Sequence, residues 1–97
     1  MNLDNTQIEA IEMAAYKGFE VQQVAHLLGV PATEFELLFT IENHPATLAY
    51  MKGIYTAQSD LRQAVIDSAI SGSSPAQAEM KKHLDAAINS FKLSTGA

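Results

Sequence analysis

Gly29 constrains this chain more than any other residue, because it separates two short apolar patterns that fit helices meeting across a tight turn. Before it, Val24 and Leu28 stand one helical turn apart and point the same way, with the small Ala25 beside them. After it come Val30, then Phe35 and Leu38 three residues apart. A glycine can take the left-handed conformation that reverses the chain without steric cost. Val30 can then fall inward as an apolar plug, while Ala25 leaves room for the second helix to approach. These seven positions read together as a helix-turn-helix over residues 24–38.

Breakers divide the rest of the chain into further helices and leave no credible strand. The first helix is expected to begin near Thr6 as cap, to place Ile8, Ile11 and Ala15 on one face, and to stop at Gly18. Phe19 and Val21 lead into the second. The third is expected to start around Pro31, or two residues later if Thr33 and Glu36 form a capping box, and to continue through Leu37, Leu38 and Ile41 towards Asn43. His44-Pro45 closes it, since the residue before a proline disfavours the helical conformation. From 46 to 71 only Gly53 interrupts a helix of roughly 39 Å at 1.5 Å per residue. Ser74 as cap and Pro75 in the first turn then start a fifth helix running to about Leu93. The sequence therefore predicts an all-α protein. Its parts are a trihelical helix-turn-helix domain over residues 1–45 and a long antiparallel helical hairpin over 46–97.

Ninety-seven residues bury only a thin core in isolation, so help from another chain is expected. There is no cysteine, which excludes disulfides and cysteine-based zinc sites and fits a reducing compartment. No apolar run reaches the ~18 residues of a membrane span, and the N-terminus lacks the pattern of a signal peptide, so a soluble intracellular protein without membrane contact is expected.

Charge is unevenly distributed. Residues 1–45 carry Asp4, Glu9, Glu12, Glu20, Glu34, Glu36 and Glu42 against Lys17 alone, a net −6. Residues 46–97 carry Lys52, Arg62, Lys81, Lys82 and Lys92 against Asp60, Asp67, Glu79 and Asp85, a net +1. The segment that resembles a DNA reader is thus the acidic one, and an acidic face repels phosphates. The outward positions of the third helix are Ala32, Thr33, Glu36, Leu37 and Thr40, without the Arg, Lys, Asn or Gln that make most bidentate base contacts. DNA contact would then fall to backbone-binding residues: Lys17 and Lys52 in or beside the motif, with Thr33 able to reach a phosphate or a thymine methyl. Repetition of Lys17, Lys52, Lys81 and Lys82 in an oligomer would sum weak contacts of this kind.

The fourth helix is apolar over too wide an arc for one partner. At 100° per residue its apolar positions span roughly 240°, which one helix cannot cover. The trihelical domain could cover part, and the same helix in a neighbouring subunit the remainder. Tyr50, Met51, Ile54, Gln58, Leu61, Arg62 and Val65 form the expected oligomer interface, with Gln58 and Arg62 able to fix register through polar contacts. Ordinary core packing, with Arg62 extending to water, accounts for the same stripe. The fifth helix shows one narrow stripe of Ala76, Met80, Leu84, Ala87, Ile88 and Phe91, as expected of a helix covered on one side.

Catalytic signatures are missing. The chain has no phosphate-binding G-x-x-x-x-G-K-[ST] loop. His26, His44 and His83 lie far apart, and Glu34 and Glu36 point to different sides of a helix. Neither an enzyme nor a cofactor or metal site is expected.

The segment Gln23-Val24-Ala25-His26-Leu27-Leu28-Gly29-Val30, the His44-Pro45 linker and the long helix that follows resemble the small terminase subunits of tailed bacteriophages. The stretch from Leu61 through Gly72 and the Ser74-Pro75-Ala76-Gln77-Ala78 continuation carry the likeness across about residues 8–92. The resemblance implies a ring-forming protein of the host cell cytoplasm that recognises viral double-stranded DNA at the start of genome packaging. It also implies regulation of a large terminase subunit bearing the ATPase and nuclease. The short stretch after the hairpin leaves little room for the C-terminal segment with which many such proteins engage their partners. Two other functions fit the same residues: a dimeric helix-turn-helix transcriptional regulator, and an assembly adaptor whose acidic face docks a basic protein instead of DNA.

Overall fold

The computed structural model describes residues 1–96, which form five α-helices and, among the described residues, no strand. They are α1 (Asn5–Tyr16), α2 (Val21–Leu28), α3 (Ala32–Leu38), α4 (Pro45–Ile70) and α5 (Ser74–Thr95). The all-α class read from the sequence therefore holds.

Local chemistry explains most boundaries, and several differ from the sequence expectation. Asp4, not Thr6, caps α1: its carboxylate accepts from the Gln7 amide at 2.8 Å, and the Gln7 side chain accepts from the Asp4 amide at 2.9 Å. This reciprocal pair satisfies two donors that the first turn would otherwise leave open. Pro31 occupies the cap position of α3 without a side-chain bond, so the Thr33–Glu36 capping box does not form. α3 also ends at Leu38, short of Asn43, because the chain turns through Phe39 and Thr40 and Asn43 adopts a left-handed φ of 58°. The His44 imidazole then accepts through Nδ1 from the Ala46 amide at 3.0 Å, capping α4 ahead of Pro45. Ser73 rather than Ser74 caps α5.

Gly29 behaves as the sequence pattern requires. At φ 73° it lets its own amide reach the His26 carbonyl while the Val30 amide reaches the Ala25 carbonyl, a paired closure of the helix end. The same pairing recurs at Gly72 after α4.

The chain divides into two compact units, Met1–Gln58 and the residues from Ser59 onward, so the division falls within α4 rather than at His44-Pro45. The cause lies in packing. Ala46, Ala49 and Gly53, all in the first half of α4, are buried and complete a core with Ile11, Ala14, Val24, Ala25, Phe35 and Leu38. Gly53 makes the closest approach: a Cβ there would run into the Glu12 carbonyl oxygen and come within 2.8 Å of the Ala15 Cβ. The missing side chain is what lets α4 lie against the backbone of α1. Phe35, Phe39 and Tyr50 stack edge-to-face in sequence, with centroids 5.2 and 5.8 Å apart, and the Tyr50 hydroxyl donates to the Phe19 carbonyl at 2.8 Å.

The second unit has no such core. No described residue of α5 is buried, and Ala76, Met80 and His83 are only half-buried, as are Val65, Ile66 and Ala69 of α4. Its turn is held by the Gln77 side chain, which donates to the Ala69 carbonyl at 3.0 Å.

Candidate functional site

Two surfaces carry the residues singled out from the sequence. The first belongs to α1, α2 and α3. Lys17 and Thr33 are exposed there, and Lys52, on the α4 segment packed against α1, is exposed with its ammonium 3.7 Å from the Glu12 carboxylate. An ion pair of that length between well-solvated groups is weak, so Glu12 moderates the positive charge of Lys52 without immobilising it. Between Gly18 and Met51 the chain carries Glu20, Glu34, Glu36 and Glu42 and no Lys or Arg. The outward side of α3 therefore offers carboxylates, the exposed Leu37 and a Thr40 hydroxyl that already donates to the Leu37 carbonyl at 2.7 Å. Chemically this face can bind a cation or an apolar group far more readily than a phosphate.

The second surface lies on the two long helices. Of the residues expected at an oligomer interface, Met51, Gln58, Leu61 and Arg62 are exposed, Ile54 and Val65 are half-buried, and Tyr50 is engaged within the chain by Phe39 and the Phe19 carbonyl. The apolar surface extends beyond that set. Leu48, Tyr55 and Ile70 of α4 are exposed, and so are Leu84, Ile88, Phe91 and Leu93 of α5, the last at 85%. The α5 stripe that the sequence pattern assigns to a covered face is thus covered only at Ala76 and Met80. On the polar side of α5, Asp85 holds Lys81 at 2.9 Å, and that hydrogen bond together with the carboxylate's charge raises the Lys81 pKa above its ordinary 10.5.

A third feature has no counterpart in the sequence reading. Between α1 and α2 lies a shallow apolar groove of about 210 Å³ lined by Met13, Lys17, Phe19 and Leu27. A neighbouring depression of about 350 Å³ shares Phe19 and Leu27. Met13 and Leu27 stand 59% and 61% exposed. Met13 sits beside the buried Ala14 and Leu27 beside the half-buried Leu28, so a face-by-face pattern assigns them to the margin of the core.

Among the described residues no group of His, Asp and Glu could hold a metal ion, and no helix is long and apolar enough to cross a membrane. No protein-family model, curated protein or solved structure matches the chain.

Proposed function

We propose that the chain is the small subunit of a phage terminase, a ring-forming component that recognises viral DNA and regulates the packaging motor. The observation that carries this reading is the exposed apolar surface of α4 and α5, which includes a 22-residue helix with no buried residue. Monomeric proteins rarely leave such a surface open, and identical copies that cover one another's faces form closed symmetric assemblies.

The arrangement of the first unit supports a helix-turn-helix. α2 has 8 residues and α3 has 7, Gly29 closes the first, Val30 packs half-buried behind it, and Val24, Ala25, Phe35 and Leu38 share one core. The capped turn at Ser71–Ser73 and the Gln77-to-Ala69 bond support an antiparallel hairpin for the second. DNA contact in this reading is weak in each subunit and falls to Lys17, Lys52 and Thr33, with Lys82 and Lys92 as further exposed cations; repetition around a ring makes it effective. The other partner is a large terminase subunit, since nothing in the chain's residues suggests a nucleotide site of its own. The setting is the cytoplasm of the infected cell.

Native mass spectrometry at near-physiological salt tests the reading. A closed assembly of roughly eight or more copies is expected. A dimer would turn the balance to a transcriptional regulator, and a monomer would defeat the proposal. For the DNA contact, the double variant Lys17→Glu, Lys52→Glu should abolish retardation of viral duplex in a gel; retention of the shift would remove these lysines from the interface.

A further inference from the structure

We infer that the groove between α1 and α2 of one copy receives the C-terminal half of α5 from a neighbouring copy, with Leu84, Ile88 and Phe91 as its anchors. The inference deepens the ring reading and rests on it. Both surfaces lack a cover, and each has what the other needs. Leu84, Ile88 and Phe91 follow the i, i+4, i+7 spacing with which an amphipathic helix enters an apolar groove, and they are 58%, 50% and 66% exposed. The groove presents Met13, Phe19 and Leu27 around a depression large enough for an apolar side chain, and the adjoining depression extends it past Phe19 and Leu27.

Charge favours the same pairing. The unit Met1–Gln58 holds seven carboxylates against Lys17 and Lys52, a net −5. Glu9 stands one turn before Met13 and Glu20 follows Phe19, while Lys17 lines the groove itself. On α5, Lys81 lies two turns before Ile88 and Lys92 one turn after it, so both fall on the Ile88 edge of the stripe. Asp85 already holds Lys81 on that edge, so the charge match is between the net −5 of the groove's unit and the net +1 of α5, with Lys92 as the cation nearest the docked residues. The contact uses different patches on the two copies, so it is head-to-tail. Contacts of that kind close into rings when the rotation between copies allows.

The absence of cysteine makes this testable with engineered thiols. Met13→Cys and Ile88→Cys each replace an exposed residue, and circular dichroism confirms that the helices persist. When the two full-length variants are mixed and oxidised, the Met13→Cys chain should link to the Ile88→Cys chain in excess over either homodimer. A chain carrying both changes should give a ladder of covalent multimers on a non-reducing gel. Leu27→Asp should raise the concentration needed for assembly on the order of tenfold. Self-linking of Ile88→Cys alone, or a multi-copy native mass without any Met13–Ile88 link, would overturn the groove while leaving the ring intact. A ladder replaced by an internally linked monomer would overturn it too, and a monomeric native mass would overturn both.

Discussion

The two units of this chain treat their apolar residues differently: the first encloses them in a core, and the second leaves most of its large ones exposed. Every buried residue among those described lies between Ile11 and Gly53, with Phe35, Ile11 and Val24 the largest fully enclosed. Beyond Gly53 none is buried, and Leu61, Ile70, Leu84, Phe91 and Leu93 stand 58–85% exposed. Each large apolar side chain taken from water contributes about 1.5–3 kcal/mol, so the first unit has internal stabilisation that the second lacks. Composition and geometry both contribute, the helices of the first unit being the richer in apolar residues. Three short helices and the start of α4 can surround one another, whereas two long helices joined by a turn have only one mutual face and leave the others exposed.

Substitutions can break this contrast from either side. The largest effect is expected at Phe35→Ala, which removes the centre of the first core and should lower stability by about 3–5 kcal/mol in urea melts monitored by circular dichroism. Gly53→Val comes next, since its side chain would collide with the Glu12 carbonyl; a loss of about 1–3 kcal/mol is expected even though valine helps the helix elsewhere. If Gly53→Val proved neutral, the close approach of α1 and α4 would be wrong. Tyr50→Phe should cost about 1 kcal/mol by removing the bond to the Phe19 carbonyl, without altering assembly, because the ring is engaged within the subunit. In contrast, the triple variant Leu84→Ser, Ile88→Ser, Phe91→Ser should leave the melting of the first unit unchanged while dispersing the proposed oligomer in sedimentation velocity.

The smallest effect concerns Lys81. Its pKa is raised by Asp85, so the pair's contribution is complete below 10.5 and is lost only as pH rises through the higher folded value. Stability measured between pH 6 and 9 should therefore not register Lys81→Gln through titration, and a pronounced slope in that window that vanished in the variant would contradict the assignment.

Much of this contrast was legible in the residues. Gly29 and its apolar neighbours marked the α2–α3 turn because left-handed backbone and helical spacing leave few other solutions. Pro45 and the uninterrupted run after it placed α4 to within a residue of Pro45–Ile70. Caps were harder: Asp4 and Thr6 compete for one helix start, as do Ser73 and Ser74 for another, and tertiary fit decides between them. Gly53 read as a weak interruption, because only a neighbouring backbone reveals a close approach. Tyr50 sits where the apolar arc of α4 meets the first core, and nothing in its spacing says which side claims it. The Met13–Phe19–Leu27 groove was invisible for a related reason, being formed by the flanks of two helices whose inner faces dominate the pattern.

Hydrogen exchange followed by mass spectrometry across a dilution series addresses the claim that the second unit is completed by other copies. Amides of α5, Ser74–Thr95, should gain protection as concentration rises, while those in Phe35–Leu38 and Ala46–Ala49, core segments away from the α1–α2 groove, stay equally protected throughout. Protection of α5 that is already complete in the dilute monomer, and unchanged on concentration, would contradict the account.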